Sequence, residues 1–177
     1  VLIISVLLAI PMLVLSILNF FASKGNVIYW SQRVGQFNHH FNMPKFRTMR
    51  ENTPAIATHL LKNPDTYLTP IGSFLRKSSL DEIPQLWSVL KGDMSIVGPR
   101  PALFNQDSLI TLRKERGVDK LKPGITGWAQ VNGRDELSIS DKVALDIEYL
   151  NQQSFWFDMK ILWMTLLKVT KGNEVSH

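Results

Sequence analysis

The apolar positions of this chain fall into two regimes. The first 23 residues, VLIISVLLAIPMLVLSILNFFAS, carry no charged side chain, whereas from Lys24 onward apolar and polar positions alternate in short periodic stretches. A run of that length measures about 35 Å as a straight helix, at ~1.5 Å per residue, enough to cross a hydrocarbon core. No small-residue cleavage site with a polar start follows it, which argues against a removable signal peptide. Pro11 stands near the centre of the run. A proline there frees the carbonyl four residues back, so the pattern predicts a bent helix. Both a kinked spanning helix and a re-entrant one, entering and leaving by the same face, satisfy that pattern. Because the chain starts at Val1, already inside the run, it reads as trimmed.

After Lys24 the periods are shorter. VIYWSQ (27–32) and PKFRTM (44–49) read as two strands joined by a polar turn with Gly35 and Asn38. The His39-His40 pair in that turn reads as solvated, since no other His or Cys spacing forms a metal cage. Pro54, Pro64 and Pro70 make 52–70 a loop with one short helix. LFNQDSLITLRKER (103–116) has helical spacing. LKPGITGWAQVNGR (121–134) opens on a Pro-Gly turn, continues extended with Trp128 as a buried strand residue, and closes at the turn Asn132-Gly133. Helices are predicted over 140–153, capped by Ser140, and over 154–172. Asp93 is expected to hold the turn Lys91–Met94. The elements predict an α+β chain, mainly helical with short strands. It divides into a membrane-embedded helix over 1–23 and a single domain over 24–177, with no linker long enough to split the latter.

Composition adds two constraints. The formal charge of +5 and pI near 9.6 point to an anionic partner: nucleic acid, anionic lipid or a phosphorylated substrate. There is no cysteine, which excludes disulfides and thiolate chemistry.

The candidate chemistry lies in SSLDEIPQLWSVLKGDMSIVGPRP (78–101), where Asp81 and Glu82 are adjacent. Ser79-x-x-Glu82 matches a capping box, and Pro84 belongs in a first helical turn. Helix geometry alone therefore favours capping, with Leu86 and Leu90 on the buried face. A helix N-terminus would also keep both carboxylates ionised and lower their pKa. Capping does not explain the cations nearby: Arg76 and Lys77 upstream, Lys91 and Arg100 downstream. Pro99 and Pro101 restrict the backbone on either side of Arg100, and a fixed guanidinium suits bidentate phosphate binding. An ionised carboxylate among such cations can attack an electrophilic phosphorus, helped by a divalent cation that bridges carboxylate and phosphate.

Three stretches, IGSFLRKSSLDEIPQLWSVLKGDMSIVGPRP, KPGITGWAQVNGR and SFWFDMKIL, closely resemble the bacterial sugar transferase family. These are monotopic phosphoglycosyl transferases that act on a polyprenyl phosphate carrier. The resemblance extends from the apolar run to about residue 170. It implies that Asp81 is the nucleophile on the β-phosphorus of a UDP-sugar. UMP would be released and a covalent aspartyl-phosphosugar formed, which polyprenyl (undecaprenyl) phosphate then takes over. Glu82 would be the partner of Asp81, with Mg²⁺ as cofactor and both carboxylates as its ligands. Lys45, Arg76, Arg100 and Arg134 would contact phosphate, and Asp146, ahead of Tyr149, would line the substrate site. The resemblance also implies a re-entrant helix broken at Pro11, a catalytic domain on the cytoplasmic face of the bacterial inner membrane, and interfacial amphipathic helices on membrane lipid. Trp156, Phe157 and Trp163, with Lys160, Lys168 and Lys171, suit such a helix, though a core helix of the domain fits each aromatic as well.

Three departures stand out. Many relatives carry arginine at the positions of Pro70 and Ser73, the helix-breaking Ser-Pro of the family is Ile10-Pro11 here, and no basic segment precedes the run. Nucleic-acid binding, the second reading of the basic pI, is disfavoured because the basic residues are interleaved with acids and Pro-Gly turns. A non-catalytic scaffold is disfavoured because the dyad is intact.

Overall fold

The computed structural model describes residues 8–23, 26–54, 63–133 and 136–171. Helix α1 (Ala9–Ser23) turns Leu15 and Asn19, four residues apart, inward on one stripe. Ile10, Leu13, Val14, Ile17, Leu18, Phe20 and Phe21 face outward. The stripe docks on the domain through Leu15, which clusters with Phe46 and Leu75. The Asn19 amide donates to the Val27 carbonyl at 3.4 Å. Pro11 stands in the first turn of α1 as described, and the predicted bend involves residues 1–7, outside the described residues. Among the described residues no helix is long and apolar enough to cross a membrane.

Strands β1 (Ile28–Val34) and β2 (His40–Phe46) form an antiparallel hairpin, with β4 (Ala102–Leu103) on the far side of β1. Both hairpin strands lie nearer the turn than predicted, because pairing continues to Val34↔His40 while Thr48 and Met49 leave the ladder after the bond from the Arg47 amide to the Val27 carbonyl at 2.8 Å. Pro44 is tolerated inside β2 because that strand is an edge of the sheet, where a missing N–H costs no ladder bond. Alternation along β2 sends Phe46 toward α1 and Lys45 to the opposite side.

A second, parallel pair joins β3 (Ser95–Val97) to β5 (Gly124–Thr126). Three glycines let these segments touch. A Cβ on Gly127 would stand 2.0 Å from the Gly98 carbonyl oxygen, and one on Gly124 would stand 2.2 Å from the Gly98 nitrogen. The remaining helices are α2 (Gly72–Lys77), α3 (Leu86–Lys91), α4 (Asp107–Glu115), α5 (Trp128–Val131), α6 (Ile139–Gln152) and α7 (Phe155–Lys171). Short 3₁₀ turns cover Pro64–Tyr67, Leu80–Gln85 and Val118–Lys120. One core gathers Val97, Val131, Tyr149, Phe157 and Ile161, and another gathers Val34, Ala102, Leu109 and Val143.

Several local expectations change. The helix predicted from residue 103 begins at Asp107, because Ala102 and Leu103 are drawn into pairing with β1. Trp128 opens a helix instead of lying in a strand, and its indole N–H donates to Glu148 at 2.8 Å. The cap of α6 is Ser138, whose hydroxyl accepts from the Asp141 amide at 3.1 Å; Ser140 is already inside the first turn. In α7 the core reading holds for Phe157, which is buried with Ile161, whereas Trp156 and Trp163 are exposed. Lys160 lies over the Trp128 ring, 5.0 Å from its centroid.

Gly127→Ala tests the close approach of the two loops. Backbone atoms meet the added methyl, so no side-chain rotation relieves it. The variant is expected to lose about 1–3 kcal/mol of stability or more, read by denaturant unfolding in detergent. A stability equal to wild type would show that the segments separate freely.

Candidate active site

The segment carrying the acidic pair is a 3₁₀ turn, Leu80–Gln85, which passes into α3 at Leu86. The capping box does not form. Ser79 adopts a left-handed conformation at φ 55° and its side chain makes no cap bond. The Glu82 side chain is engaged elsewhere: its Oε1 accepts from Lys45 Nζ at 2.8 Å and from Arg100 Nη2 at 3.3 Å. A carboxylate gains more from two cations than from one backbone amide, so tertiary structure overrides the local motif. Leu86 is buried as expected, but Leu90, one turn further along α3, is 43% exposed.

These contacts assemble four elements around one point. Lys45 comes from β2, Arg100 from the Pro-Arg-Pro segment before β4, and Arg76 from the last turn of α2. Arg76 is held by a bond from Nε to the Thr48 hydroxyl at 2.9 Å. Leu80 and Ile83 anchor the acidic turn by packing against the cluster of Leu15, Phe46 and Leu75. The apolar residues of the turn face that core, and its acids face the cations.

Asp81 is 5% exposed, and its Oδ1 has no hydrogen-bond partner among the described residues. Burial pushes its carboxyl above the usual carboxylate range. Lys45 opposes this, the charge on Glu82 adds to it, and Arg76 and Arg100 oppose it further. The expectation of lowered pKa values at a helix N-terminus therefore fails for Asp81. A six-residue 3₁₀ turn has little dipole to offer, and removal from water outweighs it. Burial likewise lowers the pKa of Lys45, against the pull of Glu82. Arg76 is lowered too, mainly by burial.

Asp146 is buried on α6, where burial raises its carboxyl despite Arg113, which pairs with it at 2.7 Å. It touches the dyad only indirectly, since Arg113 also donates to the Arg100 carbonyl at 2.8 Å. Arg134 lies outside the described residues. Lys91 pairs with Asp93 at 2.9 Å, so Asp93 holds its turn as expected. Arg113 and Arg33 were not singled out in the sequence. The available signal was the placement of Arg113 four residues after the buried Leu109, which puts a guanidinium on the inward side of α4.

This constellation is where the sequence motifs converge, and the family model for bacterial sugar transferases matches residues 1–172. The chain belongs to the bacterial sugar transferase family. Its relatives include the sugar transferase EpsL of Bacillus subtilis, 44% identical over 155 residues, covering 86% of this chain and 75% of that one. The UDP-glucose:undecaprenyl-phosphate glucose-1-phosphate transferase of Escherichia coli is 42% identical over 156 residues, covering 83% of this chain and 33% of that one. The galactosyl transferase CpsE of Streptococcus agalactiae is 38% identical, with 84% of this chain matched to 35% of its length. The chain thus spans about a third of the two longer relatives.

The charge state of Asp81 sets a stability test. Because its folded-state pKa is raised, the folded protein holds this proton more tightly than the unfolded chain does. That contribution is complete below the unfolded carboxylate pKa of about 3.9 and is lost as pH rises through the folded value. Asp81→Asn carries no such penalty. Its melting temperature is expected to equal or exceed wild type at neutral pH, with the difference shrinking in acid. A variant clearly less stable than wild type at pH 7 would contradict this.

Proposed function

We propose that this chain transfers a sugar 1-phosphate from a UDP-sugar to polyprenyl phosphate, through a covalent intermediate on Asp81. The observation that carries the reading is the buried, unpartnered Oδ1 of Asp81 within a cluster of cations. An acid kept only for capping would be solvated or bonded to backbone amides. The names of relatives support the reaction class, since several are undecaprenyl-phosphate sugar phosphotransferases.

In the first step an Asp81 carboxylate oxygen attacks the β-phosphorus. The bond to the bridging oxygen of the diphosphate breaks, and UMP leaves with that electron pair. In the second step a phosphate oxygen of the lipid carrier attacks the same phosphorus. The acyl-phosphate bond breaks, the Asp81 carboxylate is regenerated, and the lipid diphosphate-sugar departs. Lys45, Arg76 and Arg100 neutralise the diphosphate as it approaches the carboxylate and stabilise charge on the departing UMP. Arg134 joins them by resemblance. Glu82 fixes Lys45 and Arg100 in place through its Oε1.

Mg²⁺ fits this arrangement. The ion is usually held by one or two carboxylates together with substrate phosphates and water, and the unpartnered Asp81 Oδ1 is one such oxygen. Among the described residues no group of three or more metal-ligating side chains exists, so the protein would supply Asp81 and Glu82 and the substrate the rest. When bound, the ion would lower the repulsion between diphosphate and carboxylate.

We place the domain on the cytoplasmic face of a bacterial inner membrane, with the apolar helix re-entrant at Pro11. The outward apolar face of α1 and the exposed Trp156 and Trp163 of α7 support contact with lipid.

Two experiments test these readings. Incubation with a panel of UDP-sugars, before any lipid acceptor is added, is expected to release a burst of UMP no larger than the enzyme concentration. Mass spectrometry should find the phosphosugar on the Asp81 peptide, with neither burst nor adduct in Asp81→Asn or in excess EDTA. An active Asp81→Asn, or a label on another residue, would refute the assignment. For topology, single cysteines at the two ends of the apolar segment are expected to react with an impermeant reagent from the same side of sealed vesicles. Reaction from opposite sides would establish a spanning helix.

A further inference from the structure

The segment Pro99-Arg100-Pro101 has one backbone N–H, that of Arg100, and three carbonyls, so donors from elsewhere must hold it. Each carbonyl has one. The Gly124 amide donates to Pro99 at 2.9 Å, Arg113 Nη1 to Arg100 at 2.8 Å, and Arg33 Nη1 to Pro101 at 3.1 Å. The Arg113 guanidinium is fixed in turn, with Nε at 2.9 Å and Nη2 at 2.7 Å from Asp146 Oδ2. One planar fork therefore grips a buried carboxylate with two nitrogens and a main-chain carbonyl with the third, a task beyond the single nitrogen of lysine. A buried ion pair is a poor device for stability alone, since well-packed apolar residues do as well. What this pair accomplishes is to fix the backbone from which the Arg100 side chain reaches Glu82, at 3.3 Å.

We infer that Arg113, seated on Asp146, is a positioning residue: it clamps the main chain at Arg100 so that the Arg100 guanidinium stays beside the Asp81–Glu82 dyad. The inference rests on the phosphoryl-transfer reading for what Arg100 does there. It gives Asp146 a part in the site without substrate contact, as the anchor of the clamp. Displacement of a phosphate-binding group by about 1 Å can cost on the order of a hundredfold in rate, so the clamp has a measurable consequence.

The test is a cycle in kcat/KM for UMP release. Arg113→Gln combined with Asp146→Asn removes the clamp without leaving a charge buried and unpaired. Arg100→Ala removes the group it positions. The clamp variant is expected to lose roughly tenfold to a hundredfold. Added to Arg100→Ala, it should cause no more than about a twofold further loss, because the group it positions is already gone. Arg113→Lys, which retains a cation for Asp146 but lacks the second arm, is the companion variant should the first fail to fold. It should show the same dependence on Arg100. Losses that multiply in the combined variants, or clamp variants as active as wild type, overturn the inference. A wild-type protein that releases no UMP from any UDP-sugar would instead remove the functional reading beneath it.

Discussion

A carboxylate withdrawn from water must be matched by cations, and this requirement organises the centre of the molecule. Asp81 and Glu82 are both buried on one short turn. Glu82 meets the requirement directly, through Lys45 and Arg100. Asp81 does not meet it fully, as its raised pKa and unpartnered Oδ1 record. Two neighbouring acids are thus divided into one that is satisfied and one held in reserve. The nucleophilic role proposed for Asp81 would draw on that unpartnered oxygen.

The surrounding architecture can be understood as the means of bringing those cations in. Lys45 arrives because β2 alternates, with Phe46 toward the core under α1 and Lys45 away from it. Arg100 arrives because β4 pairs with β1 and because glycines at 98, 124 and 127 allow two loops to lie in contact. Arg76 closes the ring from α2, tied to Thr48. The same cluster that docks α1, built on Leu15, Phe46 and Leu75, also seats Leu80 and Ile83 of the acidic turn. In this fold the seating of the apolar helix and the placement of the dyad share one core. Loosening α1 should therefore be felt at Asp81.

The sequence by itself determined which residues are candidates for the chemistry. An uncharged run followed by a basic domain, an acidic pair ahead of Pro84, and an arginine between two prolines are local facts, legible without neighbours. Helices α6 and α7 were equally legible, because their apolar periods are sustained over several turns. What failed was local chemistry with a distant competitor. The capping box lost Glu82 to Lys45, 37 residues away. The start of the 103–116 helix was lost to β1, and the lowered pKa expected of Asp81 was reversed by burial that no single stretch can reveal. Only the tertiary structure brought Arg33 to Pro101 across 68 residues, or Arg113 to Asp146 across 33. Periodicity and capping are properties of adjacent residues and can be read along the chain. Desolvation and ion pairing depend on which segments exclude water together, and that is decided only when the chain has folded.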